Sequence, residues 1–195
     1  EGQPVGAYLL ITLDSDSEDQ LYTLLEQAAE LVLDAGAMDV LVADSPAKMR
    51  DAWAARSAFL EVIMEETKLL DECDVVVPVT KIASYLEFVN KTGEECGLVI
   101  RSFGHAGDGN LHIYECSNDL TEEEFKKRVD KFFDLIYKEA SAQGGLVSGE
   151  HGIGSGKIQY LVESIGETNM ALMEGIKRVF DPKMILNPGK VCYRL

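Results

Sequence analysis

Ser102-Phe103-Gly104-His105-Ala106-Gly107-Asp108-Gly109-Asn110-Leu111-His112-Ile113-Tyr114 holds two of the three histidines in a chain of 195 residues. Leu98 to Phe103 ahead of it and Leu111 to Cys116 behind it are apolar enough to be strands, and Ala-Gly-Asp-Gly-Asn between them is turn chemistry. The stretch predicts a β-hairpin in which His105 ends one strand and His112 begins the next, nearly opposite. Cross-strand neighbours sit about 4.5–5.5 Å apart at Cβ, near enough for two imidazoles to share a divalent ion. The third histidine lies in Gly149-Glu150-His151-Gly152-Ile153-Gly154, beside a carboxylate and between glycines. Two imidazoles and a carboxylate form a metal set that leaves coordination positions for a substrate. Glu150 and His151 are adjacent and point in different directions, so one can bind the ion while the other faces the substrate. Gly104, Gly107 and Gly109 strip side chains from the hairpin loop, a composition that lets a ligand approach backbone.

The rest of the chain sets bounds on that reading. A formal charge of -16 excludes the basic footprint that nucleic-acid binding needs and disfavours anionic membranes. An anionic substrate would need a local positive centre, from a metal ion or an arginine. Cys73, Cys96, Cys116 and Cys192 lack metal-ligand spacing and read as buried free thiols in a reducing, cytoplasmic compartment. No apolar run reaches the roughly 18–20 residues of a membrane span. The chain opens Glu1-Gly2-Gln3-Pro4 without methionine, as expected of a piece processed or excised from a longer protein.

Taken in order, Val5–Leu13 predicts a strand. Ser17-Glu18-Asp19-Gln20 then opens a helix with Leu21, Leu24, Leu25, Ala28, Ala29 and Val32 at helical spacing, closed by Gly36. Met38–Ala43 predicts a second strand, and Asp44-Ser45-Pro46 starts a helix carrying Trp53, Arg56, Phe59, Leu60 and Ile63 toward Leu70. Asp74–Pro78 predicts a short buried strand, followed by a helix capped by Thr80 and ending near Gly93. After the hairpin, Thr121-Glu122-Glu123-Glu124 caps a helix that runs to Gly144. Gly145–Ser148 is a short strand, a helix spans about Gly156 to Val162, and another runs from Thr168 to Phe180 before Asp181-Pro182. Strands joined by hairpins and alternating with helices predict an α+β fold, helices packed on a largely antiparallel sheet.

Other residues carry weaker signals. Asp108 suits a turn role, accepting backbone N–H groups, and Asn110 another. Arg56 beside Trp53 is either a surface arginine stacked on the indole or a clamp for a substrate carboxylate. Lys157 and Lys190 read as solvated. Gly-Ile-Gly-Ser-Gly lacks the spacing of a phosphate-binding loop.

Three ordered motifs, Gly104–His112, Gly149–Gly154 and Asp181-Pro182-Lys183-Met184-Ile185-Leu186-Asn187-Pro188-Gly189-Lys190, closely resemble the C-terminal domain of FAD-linked oxidases. That family holds D-lactate dehydrogenases, the glycolate oxidase large subunit and D-2-hydroxyglutarate dehydrogenases of the vanillyl-alcohol-oxidase superfamily. Trp53-Ala54-Ala55-Arg56 and Asp74–Pro78 match in the same order, so the resemblance covers nearly all of residues 1–195. It implies a ferredoxin-like α/β plait followed by a C-terminal helical segment, with FAD held mainly by an N-terminal domain absent from this chain. It implies that His105, His112 and Glu150 bind zinc, manganese or iron, that His151 is the catalytic base, that Arg56 grips the substrate carboxylate, and that the region of Asn187 approaches the flavin. Where 2-hydroxyglutarate members carry a threonine, a lysine and an asparagine, this chain has Leu60, Glu72 and Tyr114. That departure implies a small monocarboxylate, D-lactate or glycolate.

The implied activity is metal-assisted oxidation of a 2-hydroxy acid with hydride transfer to flavin. The implied partners are the FAD-binding domain, an electron-transfer flavoprotein or iron-sulfur subunit, and a second copy in a homodimer. The implied location is cytoplasmic, or peripheral at the inner face of the membrane through partner subunits. Two other classes fit the same residues: a stand-alone metallohydrolase activating water, and a non-catalytic assembly module.

Overall fold

The computed structural model describes residues 6–192, and the chain divides into two compact units, 1–58 and 59–195. In the first unit, helix α1 (Glu18–Asp34) starts where Ser17 accepts a hydrogen bond from the Gln20 backbone, and α2 (Pro46–Ser57) starts where Ser45 does the same for Lys48. Each cap satisfies one of the backbone N–H groups that the first turn of a helix leaves unpaired. Gly36, at φ 99°, follows α1 as the composition requires. The two strands predicted at Val5–Leu13 and Met38–Ala43 do not form. Among the described residues, 6–13 and 38–43 carry no strand pairing, Tyr8 is 87% exposed and Leu41 89%; Val5 lies outside the described residues. An apolar run marks a segment that gains from burial, but a strand also needs a partner's hydrogen bonds, which local sequence does not encode.

The second unit begins with α3 (Phe59–Glu66) and is built on one sheet: β1 (Leu69–Val76), β2 (Val99–His105) and β3 (Asn110–Ser117), in the order β1-β3-β2 with both pairings antiparallel. The helix predicted to run from Pro46 toward Leu70 therefore breaks at Ala58, stops at Glu66 and yields Leu69 and Leu70 to β1. β1 starts five residues before the predicted Asp74, because its outer half carries Asp71 and Glu72 and lacks an apolar signature. A 3-10 turn (Val79–Lys81) leads into α4 (Ile82–Cys96), which has no side-chain cap at its start and ends at Gly97 in the left-handed conformation, φ 67°. Gly93, the predicted stop, is inside α4, where a Cβ would strike Ile100. α5 (Glu122–Ala142) is capped by Thr121 as predicted. Leu146 makes a single antiparallel bridge with Val76, all that forms of the strand expected at Gly145–Ser148. α6 (Ile158–Phe180) is two helices joined at Gly166, whose φ of 75° and ψ of 165° break the spiral. The fold is α+β, as the alternation of elements implied.

Period two decides which residues meet. Pairing Asp74 with His112 and His112 with Phe103 puts Glu72, Asp74, Phe103, His105, Asn110, His112 and Tyr114 on one face of the sheet. Cys73, Val75, Leu111 and Ile113 point the other way and join Tyr85 and Val89 of α4 with Phe132 and Ile136 of α5 in the core. Fully burying each such aliphatic or aromatic side chain stabilises the fold by about 1.5–3 kcal/mol. Central β3 is covered on both faces and buried at all eight residues.

Glu115 is the exception on the core face. It is fully buried, and neither carboxyl oxygen has a hydrogen-bond partner. Burial pushes its pKa well above the usual carboxylate range, and the charge of Asp71 adds to the shift. A raised folded-state pKa gives full stability below the unfolded value near 4.3 and erodes it as pH rises toward the folded value. Glu115→Gln removes that titration. The difference in melting temperature between variant and wild type should therefore move in the variant's favour between pH 4 and pH 8, read by scanning calorimetry.

Candidate metal centre

The hairpin places its two histidines as diagonal rather than directly opposed neighbours. His105 faces Asn110 and His112 faces Phe103, an offset of two residues that keeps both imidazoles on one face with ring centroids 5.8 Å apart. The turn chemistry is as read: the Asn110 backbone N–H donates to Asp108 Oδ1 at 2.9 Å. The glycines serve a different purpose from the one expected. A Cβ at Gly104 would strike the Asn110 carbonyl, and one at Gly109 the Val77 carbonyl. These two let backbone approach backbone, while Gly107 alone faces open space.

Glu150 and His151 reach this face because Asp74 holds their loop. The Asp74 side chain is fully buried, and Asp74 of β1 pairs with His112 of β3. Its carboxylate accepts the Ser148 hydroxyl at 2.7 Å and the backbone N–H groups of Gly149, Glu150 and His151 at 3.0, 3.1 and 2.9 Å. Burial by itself would raise its pKa. The Ser148 hydroxyl, the His151 and Gly149 amides and the Lys157 charge outweigh that and bring it down to about 2. Lys157 is not solvated: it is largely buried and donates to the Asp74 carbonyl at 3.2 Å. At Gly149 a Cβ would run into the Asn110 side-chain amide, which would have to shift to admit it.

The result is two overlapping groups of ligand-type atoms, each within a 4.8 Å span: His105, His112 and Glu150, and Glu72, His112 and His151. Glu150 Oε1 lies 3.1 Å from His112 Nε2 and 3.9 Å from His105 Nε2. Ligands about 2.0–2.2 Å from a tetrahedral cation are about 3.3–3.6 Å from one another, a range that the two Glu150 distances bracket, so the first group is of a size to hold a divalent ion. His112 is buried, and Nδ1 at its other edge lacks a hydrogen-bond partner although Glu72 Oε1 is 3.5 Å away. His151 turns from Glu150 toward Glu72, its Nδ1 3.3 Å from the same oxygen, and its ring lies 4.9 Å from that of His112. Phe103 stacks on Tyr114 at 5.2 Å and contacts His112 at 5.7 Å, forming an aromatic floor.

Two residues escaped the sequence reading as parts of this site. Asp74 appeared only as the start of a strand, and Glu72 only as a departure from relatives. A signal existed for both: two acids at alternate positions share a strand face. Arg56 lies on α2 in the first unit. Asn187 follows α6 in the second, with a left-handed φ of 47°. Lys190 is exposed, the four cysteines are free and buried, and among the described residues no helix is long and apolar enough to cross a membrane.

Asp74→Asn retains the shape but gives the loop's amides a neutral, two-faced partner. It should lower stability by about 2–4 kcal/mol in urea unfolding. Because the folded pKa is depressed, the wild-type advantage is present above pH 4 and should vanish as pH falls toward 2.

The family model for FAD linked oxidases, C-terminal domain, matches residues 2–191. A D-lactate dehydrogenase of Anaerostipes hadrus is 60% identical over the whole chain, which covers 41% of that protein. A D-lactate dehydrogenase of Archaeoglobus fulgidus is 37% identical over 97% of the chain and 40% of its own length. The glycolate oxidase subunit GlcD of Bacillus subtilis is 31% identical over 97% of the chain and 40% of its length. The chain thus spans about two fifths of the curated relatives it matches. With a family match across almost every residue and the motif histidines gathered on one sheet face, the chain belongs to the family of FAD linked oxidases, C-terminal domain.

Proposed function

We propose that this chain is the substrate- and metal-binding part of an FAD-dependent D-2-hydroxy-acid dehydrogenase acting on a small monocarboxylate, D-lactate or glycolate. The observation that carries the reading is the meeting of His105, His112 and Glu150 around one point, with His151 beside them and turned to a different partner. Residues 1–195 as a whole form the C-terminal domain, and the flavin is held mainly by a separate N-terminal domain.

His105, His112 and Glu150 would hold a divalent ion, zinc, manganese or iron. Bound there, the ion supplies Lewis acidity that lowers the pKa of the substrate hydroxyl, and the flavin supplies the hydride acceptor. His151 takes the hydroxyl proton as the C2 hydrogen leaves with its electron pair, so the alcohol becomes the 2-oxo acid. Arg56 clamps the substrate carboxylate with its planar fork, and Asn187 approaches the flavin. Asp74 fixes the loop that carries both Glu150 and His151, so ligand and base move together. The carboxylate of Glu72, beside two imidazoles, repels a second substrate carboxylate, which supports a monocarboxylate over a dicarboxylate. Four buried thiols fit a cytoplasmic setting. Electrons pass on to an electron-transfer flavoprotein or iron-sulfur subunit, the enzyme forms a homodimer, and any membrane association is peripheral through partner subunits.

The full-length flavoprotein tests this directly. D-lactate or glycolate added without oxygen should bleach the flavin of the wild type. Glu150→Ala should lose the metal by elemental analysis, whereas His151→Ala should keep metal and flavin but turn over about 10²–10⁴-fold more slowly. Full metal in the first variant, or wild-type rates in the second, removes that residue from its role. Ester or amide hydrolysis without flavin would point instead to a metallohydrolase.

A further inference from the structure

Glu72 is bound into the site from three directions. Its Oε1 accepts the Tyr114 hydroxyl at 3.0 Å, and His151 Nδ1 and His112 Nδ1 lie 3.3 and 3.5 Å from the same oxygen. The placement follows from register: Glu72 pairs with Tyr114 across β1 and β3, one row along from Asp74 and His112. The buried His112 Nδ1 is unpartnered, and a buried polar atom of this kind calls for an explanation. Histidines that ligate metal through one nitrogen commonly donate the other N–H to a carboxylate, which fixes tautomer and ring orientation. Catalytic hydrogen bonds are also often long before a site is loaded.

We propose that Glu72 is a positioning residue for this site: a single carboxylate, held by Tyr114, that orients His151 by its Nδ1 and backs the Nδ1 edge of His112. With Nδ1–H of His151 directed at Glu72, the lone pair sits on Nε2, the nitrogen available to take a proton. With Nδ1–H of His112 directed at the same oxygen, Nε2 is the nitrogen free for the ion. Glu72 is thereby assigned to orienting the two imidazoles rather than to binding the ion, although its distances to His112 and His151 would allow it to be a ligand. This rests on the proposed roles of His112, His151 and the divalent ion.

The test uses the full-length protein loaded with FAD and zinc, with wild type, Glu72→Gln, Glu72→Asp and Tyr114→Phe compared. Glu72→Gln should keep one zinc per chain after dialysis, lower kcat about 10–100-fold and change KM for D-lactate less than about threefold. Glu72→Asp should recover part of the loss, and Tyr114→Phe should show a smaller loss in the same direction. In ¹⁵N-histidine spectra at a pH where the ring is neutral, His151, assigned from a His151→Gln variant, should be the Nδ1–H tautomer in wild type and a mixture in Glu72→Gln. Loss of zinc from Glu72→Gln would show that the carboxylate is needed to hold the ion rather than only to orient His151, and would overturn the proposal. Unchanged kcat, or an unchanged His151 tautomer, would overturn it as well. A wild type that fails to oxidise any D-2-hydroxy acid sinks the functional reading alone, because zinc content and tautomer still decide the role of Glu72.

Discussion

Asp74 carries a charge into a place water does not reach, and the second unit is arranged to keep it there. A bare carboxylate in such surroundings is expensive, so it must be matched by donors. Here they come from a hydroxyl, three consecutive amides and a nearby ammonium. The donors are themselves the loop from Ser148 to His151, so satisfying one buried charge folds a segment that has almost no regular structure. That is how a glycine-rich stretch, costly to order on its own, comes to present two functional side chains at a defined position.

The sheet does the rest through its two-residue period. One face is apolar and closes against α4 and α5. The other collects Glu72, Asp74, Phe103, His105, His112 and Tyr114 from the two strands of a hairpin and from β1, more than twenty residues earlier in the chain. A register slip of a single residue in β3 would send His112 into the core and Ile113 into the site. Burial of Leu111 and Ile113 is thus what aims His112, and the apolar and polar halves of β3 specify each other. Glu115 shows the cost of that alternation: it falls on the core face and stays there without a partner for either oxygen.

Much of the local structure was legible. The caps at Ser17, Ser45 and Thr121, the turn around Asp108 and the break near Gly166 each depend on residues within a few positions of one another, and sequence displays such relations openly. The strands were legible only where apolar residues dominate. β1 was shortened because Asp71, Glu72 and Cys73 look unlike a strand, and Lys157 looked solvated because its partner is 83 residues away. At 6–13 and 38–43 the apolar runs overpredicted, for the converse reason that no strand pairing accompanies them.

By itself the sequence determined which chemical groups exist to make a site: two histidines flanking a turn, a Glu-His pair between glycines, and composition unsuited to nucleic acid. It also determined the family, since ordered motifs survive as strings. Tertiary structure alone decided that the imidazoles lie diagonally, that Glu150 faces them while His151 turns to Glu72, and that Asp74 rather than any glycine governs the loop. The reason is physical: turns and caps are governed by neighbours along the chain, whereas a buried charge and a strand register are settled by whatever the fold brings against them from far away.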